Sequence, residues 1–263
     1  MKKPTLIVAL IALLTWAGPS AAGLSRGVSS ILPTVGGTLP AASYELPLAR
    51  GVNLERMSWL GALGWMQLTV LRVDLGAQSL KVEPVLARAA LSSPGKPTDI
   101  ARENSLVAAV NGDFFDLGAT GGPLSLVAAE GRVVRSPRVD PDFASIAITV
   151  SGEAIMGQWD WEGTLESADG SVAVALAAMN EISVAQNSAV LYTPEWTWPR
   201  PQQQPDAAFI SVADGVVASA GIGYPTGARG TYVVARGSAA NALRGLAPGD
   251  AVTVKVALRP GFD

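Results

Sequence analysis

Glycine and proline interrupt the apolar segments of this chain at short intervals. The 263 residues include 28 glycines and 18 prolines, and hydrophobic residues make up 49%. Both residue types end regular structure and form tight turns. Segments 65–75 and 251–258 alternate apolar and polar residues, which is the period of a half-buried strand. The sequence therefore predicts an α+β protein, a strand-dominated mixed domain with few short helices.

Two segments predict helices, and one further segment predicts a buried strand. A short helix follows Pro97, with Thr98 as its N-cap, and a second covers 237–246 with Ser238 as its cap. Residues 106–110 are uniformly apolar and of strand length. Segment 80–87 is predicted to pair with 65–75 across a turn at Gly76. Further strands are predicted near 124–128, 132–136, 143–150, 153–158, 171–176, 188–193, 207–213, 215–219 and 231–236.

The chain contains no histidine and no cysteine. A Ser-His-Asp triad, a Cys-His dyad, a zinc ribbon, an iron–sulfur cluster and a disulfide are therefore excluded. Any catalysis must use carboxylates, hydroxyls, amides, Lys, Arg or main-chain groups. The chain has 19 basic and 22 acidic residues, so its net charge is −3. This balance argues against a nucleic-acid partner, because binding to nucleic acid requires basic residues that neutralise phosphates. The residues define no cofactor and no metal ligand set.

The N-terminus has the layout of a secretory signal peptide. Met1-Lys2-Lys3 is basic, 5–17 is apolar, and small residues precede a cleavage point after Ala22. A retained membrane anchor is the alternative, although the apolar run is shorter than the roughly 20 residues of a spanning helix. Residues 1–22 are thus predicted to be a signal peptide, and the mature protein extracytoplasmic, with no stable membrane span after cleavage. Residues 23–43 are predicted to be a flexible arm or linker, and 44–263 the domain.

The segment from Asn111 to Pro123 concentrates polar side chains and glycines directly after an apolar run. Oxygen atoms of Asn111, Asp113 and Asp116 could bind sugar hydroxyls or a hard cation. Main-chain N–H groups of a glycine-rich loop could approach a phosphate. The simpler alternative is that these residues only form a turn while Phe114 and Phe115 fill the core.

Here the sequence resembles the phosphodiester glycosidase family. The similarity lies in VAAVNGDFFD and GGPLSLVAAEGRVVRSP around that loop, with LTVLRVDL before it and AVLYTPEW and the 224–250 segment after it. Family members usually continue into an Asp-Gly-Gly-Gly-Ser-like motif that this chain lacks. The resemblance therefore implies that 44–263 is the N-terminal part of the family domain.

The resemblance implies hydrolysis of a sugar-1-phosphodiester bond in surface glycan or exopolysaccharide. Asp113 and, second, Asp116 are the implied catalytic carboxyl groups, with the sugar or its phosphodiester as the partner. The implied substrate-binding residues are Asn111, Gly112, Gly121 and Gly122. The second carboxylate of the usual pair is implied to lie in the missing part. The alternative is a non-catalytic glycan-binding or scaffold fragment.

Three other groups of residues were weaker candidates for substrate contact. Glu195 beside Trp196 could bind sugar, but the sequence favours a solvated loop charge. The tryptophans could stack on sugars, but packed aromatic pairs are favoured. The arginines recur every third residue and could meet phosphate, but solvated side chains are expected. These tryptophans and arginines are Trp159, Trp161, Trp196 and Trp198, and Arg132, Arg135 and Arg138.

Overall fold

The computed structural model describes residues 39–61, 64–92, 94–118, 120–138, 144–149, 151–197, 204–225 and 230–261. Strands dominate these ranges, so the predicted strand-dominated domain with few short helices is confirmed. No helix within them has both the length and the hydropathy needed to span a membrane. The predicted signal peptide and most of the predicted arm lie outside the described residues.

Fifteen strands, two α-helices and one short 3-10 helix at Ala87–Ala89 make up the described regular structure. Their bounds in chain order are β1 Leu39–Ala49, β2 Val52–Gly61, β3 Gly64–Val73, α1 Pro97–Glu103, β4 Val127–Ala129, β5 Arg132–Arg135, β6 Ser145–Ile148, β7 Ala154–Gly157, β8 Asp160–Ser167, β9 Ala173–Ala175, β10 Ala178–Met179, β11 Ala189–Tyr192, β12 Ala208–Ala213, β13 Val216–Ile222, β14 Thr231–Ala235, α2 Gly237–Leu243 and β15 Val252–Arg259.

The central sheet has the order β10-β11-β14-β12-β13 and is buried on both faces. Alternate residues of β11 enter two different cores: Leu191 packs with one cluster, and Val190 and Tyr192 pack with the other. The first core lies between this sheet, α2 and the β15-β8-β9 sheet. The second core contains Tyr192, Trp196 and Val134. The period of two along β11 thus places Tyr192 in the second core.

Strand β5 lies beside the edge of this sheet. The Ser136 N–H donates to the Met179 carbonyl at 3.3 Å, and the Met179 N–H donates to Ser136 Oγ at 3.0 Å. These bonds hold the end of β5 next to β10. Val134 and Arg135 are consequently buried.

The N-terminal sheet is an antiparallel meander in the order β1-β2-β3. Strand β1 begins at Leu39, so the last residues of the predicted arm 23–43 are in a strand. Opposite pairs share a face, and Leu46 lies opposite Leu54 in this sheet. Several apolar side chains of the meander are exposed: Tyr44, Leu46, Leu48, Leu60, Trp65, Met66 and Leu68.

The partner predicted for the 65–75 strand is wrong. Strand β3 pairs with β2, and 81–86 has no strand structure. Pro84 in that segment has no N–H to give to a ladder, which disfavours pairing. Segment 106–110, predicted as a buried strand, is also irregular and only partly buried.

Both predicted helix caps are wrong by two residues. Helix α1 begins at Pro97 with Lys96 as N-cap, since proline is favourable in the first helical turn. Helix α2 begins at Gly237 with Arg236 as N-cap. The Ser238 N–H donates to Asn187 Oδ1 at 3.0 Å.

Candidate functional site

Residues 113–125 form a tight hairpin that displays the polar motif. The Leu124 N–H donates to the Phe114 carbonyl and the Asp116 N–H to the Gly122 carbonyl, both at 2.9 Å. Phe115 and Pro123 form an isolated antiparallel bridge between these bonds. Phe114 is 68% exposed, so the expectation that it fills the core is wrong. The motif is therefore a turn that presents its side chains at the surface.

Asp116 organises the tip of the hairpin. Its Oδ1 accepts a hydrogen bond from the Gly118 N–H at 3.1 Å, and its Oδ2 accepts from the Thr120 N–H at 2.9 Å and Thr120 Oγ1 at 3.2 Å. Both carboxylate oxygens thus accept bonds within the loop. This geometry gives Asp116 a structural role at the hairpin tip.

The N–H groups of Gly121 and Gly122 are also used inside the loop. Gly121 donates to the Asp116 carbonyl at 2.8 Å, and Gly122 donates to Thr120 Oγ1 at 3.1 Å. A phosphate would have to displace these bonds to take the two donors predicted for it. Gly121 has φ +66° and lies so close to Pro94 that a Cβ would come within 2.7 Å of Pro94 Cδ. Glycine is required there for conformation and for space.

Gly121→Ala is expected to lower the free energy of unfolding by about 3 kcal/mol. A positive φ costs an L-residue roughly 1–2 kcal/mol, and the contact with Pro94 adds an overpacking cost of about 1–3 kcal/mol. Gly131→Ala is the matched control, because Gly131 has φ +72° with nothing within 4 Å of its Cβ position. Urea denaturation of both variants measures the difference. Equal losses would mean that the approach to Pro94 has no energetic consequence.

Asp113 lies at the base of the hairpin and is half-buried. Its Oδ2 accepts a hydrogen bond from the Ser125 N–H at 3.0 Å, and Asn111 Nδ2 donates to its main-chain carbonyl at 2.9 Å. Burial raises the pKa of Asp113 above its ordinary value, against the lowering effect of nearby N–H groups and of the Arg135 charge. Asp113 is therefore a fixed carboxyl group that holds its proton more tightly than a solvated aspartate. Asn111 orients its main chain, and Gly112 is exposed beside it.

This raised pKa predicts a pH dependence of stability. Because the folded-state pKa exceeds the unfolded value near 3.8, the proton stabilises the fold. The stabilisation is complete below pH 3.8 and is lost as pH rises through the folded pKa. The difference in free energy of unfolding between the natural chain and Asp113→Asn should fall over that window. Urea titrations from pH 3 to 8 measure it, and a difference that rises with pH would contradict this assignment.

Arg135 is the buried cation of the site and is only 2% exposed. The solvated side chain expected from its spacing is therefore wrong for Arg135, whereas Arg132 is 60% exposed. Arg135 Nη2 donates to Glu181 Oε2 at 3.0 Å. Its Nε and Nη1 have no hydrogen-bond partner among the described residues. The Arg135 charge also has a lowering effect on the pKa of Asp113, which is outweighed by burial.

A buried amide fixes the strand that carries Arg135. Asn180 is fully buried, and its Nδ2 donates to the Val134 carbonyl at 2.6 Å and to Thr193 Oγ1 at 2.7 Å. Its Oδ1 accepts from the Thr193 N–H at 2.9 Å. Asn180 therefore joins the end of β5 to the turn after β11. Neither Asn180 nor Glu181 was predicted, because nothing in their local sequence distinguishes them from turn residues.

Glu195 is held by two partners and is not a solvated charge. Thr193 Oγ1 donates to Glu195 Oε2 at 2.6 Å, and Arg132 Nη2 lies 2.8 Å from Glu195 Oε1. Burial raises the pKa of Glu195, but the bonds from Thr193 and Arg132 bring it below its ordinary value. The prediction of a solvated loop charge is wrong, and Glu195 instead stabilises the turn after β11.

Three of the four candidate tryptophans lie in the described residues, and all three pack against the interior. Trp159 and Trp196 are buried, and Trp161 Nε1 donates to the Leu176 carbonyl at 2.7 Å. Trp198 lies outside the described residues. Trp196 lies 5.7 Å from Tyr192 between ring centroids, and Tyr192 stacks on Tyr232 at 4.9 Å. The packed interpretation therefore fits these three candidate tryptophans better than exposed sugar platforms.

One segment connects the two halves of the site. The Leu91 N–H donates to the Glu195 carbonyl at 2.9 Å, and the Leu91 carbonyl lies 3.2 Å from the Cβ position of Gly122. The hairpin tip and the turn after β11 therefore both contact the segment that begins at Leu91. Within the described ranges, no group of three acidic residues is arranged to hold a metal ion.

No protein-family model matches the chain, and no curated protein matches it. Among solved structures, a crystal structure of a hypothetical protein from Synechocystis has a similar fold, with a TM-score of 0.68 and 17% identity. The match covers 83% of this chain and 41% of that chain. The chain therefore spans less than half the length of this neighbour, and the likeness concerns the fold alone.

Proposed function

We propose that this chain is an exported phosphodiester glycosidase-like protein that hydrolyses a sugar-1-phosphodiester bond in surface glycan or exopolysaccharide. The supporting observation is Asp113: a half-buried carboxyl group with a raised pKa, fixed by the Ser125 N–H and influenced by the buried Arg135. A carboxyl group tuned in this way suits proton transfer. The same proposal includes two further points. The fold belongs to the α+β class, and 44–263 is the N-terminal part of a family domain.

The reaction transfers water across the bond between the anomeric carbon and the phosphate oxygen. The hydroxyl group of water joins the carbon, the carbon–oxygen bond breaks, and the remaining proton leaves with the phosphomonoester. Asp113 handles that proton, either by taking it from the attacking water or by giving it to the leaving oxygen. Glu181, which shares Arg135 through the 3.0 Å bond, is a carboxylate of this chain that could serve as its counterpart.

The test compares three substrates with the full chain. An aryl α-glycosyl phosphodiester contains both the sugar and the phosphate, the matched aryl α-glycoside lacks the phosphate, and a diaryl phosphodiester lacks the sugar. We expect release of sugar from the first substrate only. Cleavage of the diaryl compound at a similar rate would identify a general phosphodiesterase and contradict the proposal.

A non-catalytic glycan-binding protein is the second candidate. Both carboxylate oxygens of Asp116 accept hydrogen bonds within the loop, so Asp113 is the remaining carboxyl group of the motif. Glycoside hydrolysis normally uses two carboxyl groups, and a motif that supplies one favours binding without reaction. Equilibrium binding to an anionic polysaccharide, followed by analysis for released sugar, separates the two candidates. Binding without product over many hours would favour this second function.

A further inference from the structure

Three buried side chains, one of which is Arg135, carry hydrogen-bond donors that have no acceptor. The atoms are Nε and Nη1 of Arg135, the Tyr192 hydroxyl and Trp196 Nε1, and none has a partner in the described part of the chain. The three side chains are 2%, 0% and 5% exposed. Buried donors are nearly always satisfied in native proteins, because an unsatisfied one is destabilising. Four in one region indicate a group that accepts hydrogen bonds there.

Tyr192 and Trp196 belong to one cluster, and Arg135 comes from strand β5 beside it. Tyr192 and Trp196 lie in the same core as Val134, the residue before Arg135, and their ring centroids are 5.7 Å apart. Burial raises the pKa of Tyr192 well above its usual range, and the Arg135 charge acts in the opposite direction. Asn180 brings the two segments together, because it donates to the carbonyl of Val134 and accepts from the N–H of Thr193. All the unpartnered atoms can donate, and none of the nitrogens can accept.

The local charge decides which acceptor fits. Arg135 already forms an ion pair with Glu181, and its field reaches the Asp113 carboxyl group. One cation therefore faces two carboxyl groups, so a further anion would meet repulsion in a region of low dielectric constant. A hydroxyl or amide carbonyl oxygen accepts the same hydrogen bonds without adding charge.

We propose that Arg135, Tyr192 and Trp196 bind the neutral oxygen atoms of a sugar, and that the phosphodiester group is bound elsewhere. The sugar assignment rests on the proposed function. Tyr192 stacks on Tyr232 at 4.9 Å between ring centroids, so the ring that carries the unpartnered hydroxyl is held in a fixed position. Because the donors are closed to solvent in the free chain, a sugar reaches them only after local opening, which lowers the apparent affinity.

Tyr192→Phe tests this proposal through two measurements, the melting temperature and the affinity for a sugar. We expect the first to rise and the second to fall, whereas removal of a hydroxyl that stabilises the fold would lower both. Removing a buried hydroxyl with no partner should raise the melting temperature of the free protein by about 2–4 °C. The same change should weaken binding of a neutral methyl glycoside by about 2- to 10-fold, since it removes one hydrogen bond to the ligand. Tyr232→Phe is the matched control from the same stack, and we expect it to show no such pairing of effects.

The probes are methyl glycosides, with and without an N-acetyl group, and inorganic phosphate, titrated by calorimetry into the full chain without turnover. Sugar binding that is weakened by both Tyr192→Phe and Arg135→Met supports the proposal. Three results would overturn it: phosphate binding that depends on Arg135 more than sugar binding does, no sugar binding at all, or a lower melting temperature for Tyr192→Phe. Because binding is measured at equilibrium, a hydrolytically inactive protein that binds sugar would refute the proposed reaction and leave this site intact.

Discussion

Asp113→Asn is expected to lower the rate of hydrolysis of the aryl α-glycosyl phosphodiester by about 10²–10⁴-fold, the usual contribution of a positioned acid or base. Asparagine has the same shape, and its Oδ1 can still accept the hydrogen bond from the Ser125 N–H. The fold of the hairpin should therefore persist while the proton-transfer group is lost. Initial rates at saturating substrate, with near-ultraviolet circular dichroism as the check on folding, measure the effect.

Asp99→Asn is the control for this substitution, because Asp99 is an exposed aspartate in the first turn of α1. We expect it to leave the rate unchanged. Asp116→Asn should reduce the rate less than Asp113→Asn and should lower stability, since Asp116 accepts bonds from Gly118 and Thr120. Activity that survives in the Asp113→Asn, Asp116→Asn double variant would remove this site from the reaction.

The pH–rate profile gives a second readout of the same group. Because burial raises the pKa of Asp113, the inflection that it produces should lie above the ordinary value of 3.8. A rate that falls above the inflection identifies Asp113 as the acid, and a rate that falls below it identifies the base. In Asp113→Asn this inflection should be absent. An unchanged inflection in the variant would assign the titration to another carboxyl group.

Local sequence patterns predicted many of the strands and little of their pairing. Strands β5, β11 and β14 were recognised within one or two residues, because each is a short apolar run bounded by turn residues. Strand β2 was missed because Glu55 and Arg56 interrupt its alternation. Glu55 is satisfied across the sheet, where it accepts from Arg72 Nη2 at 2.9 Å. A partner in another strand cannot be read from the local pattern.

The candidate site was also predicted only in part from the sequence. The polar turn between Asn111 and Pro123 was predicted, because its turn residues and carboxylates lie close together in the sequence, but its pairing as a hairpin was not. Arg135 was named as a weaker candidate, but its burial was not predicted, because that burial depends on Glu181, which lies 46 positions further along the chain. An arginine at the end of a strand is usually solvated. Here tertiary packing overrides that expectation, and the unpartnered Nε and Nη1 atoms become apparent only in three dimensions.

Asn180→Ala is expected to lower the free energy of unfolding by about 4 kcal/mol. The variant leaves the Val134 carbonyl and the Thr193 N–H buried without their partner, at about 1–3 kcal/mol each. Asn180 also has φ +54°, a conformation that alanine adopts with strain. Thermal and urea denaturation at pH 7 measure the loss.

Asn187→Ala isolates the buried network from the backbone strain. Asn187 has φ +59° and is exposed, and it accepts one hydrogen bond, from the Ser238 N–H at 3.0 Å. This control should therefore show the cost of the positive φ and of one exposed bond, about 1–2 kcal/mol. The excess for Asn180→Ala is the contribution of the amide that joins β5 to the turn after β11. If the two variants were equally stable, the position of Arg135 would not depend on Asn180, and the ion pair with Glu181 and the packing of Val134 would have to hold the guanidinium in place.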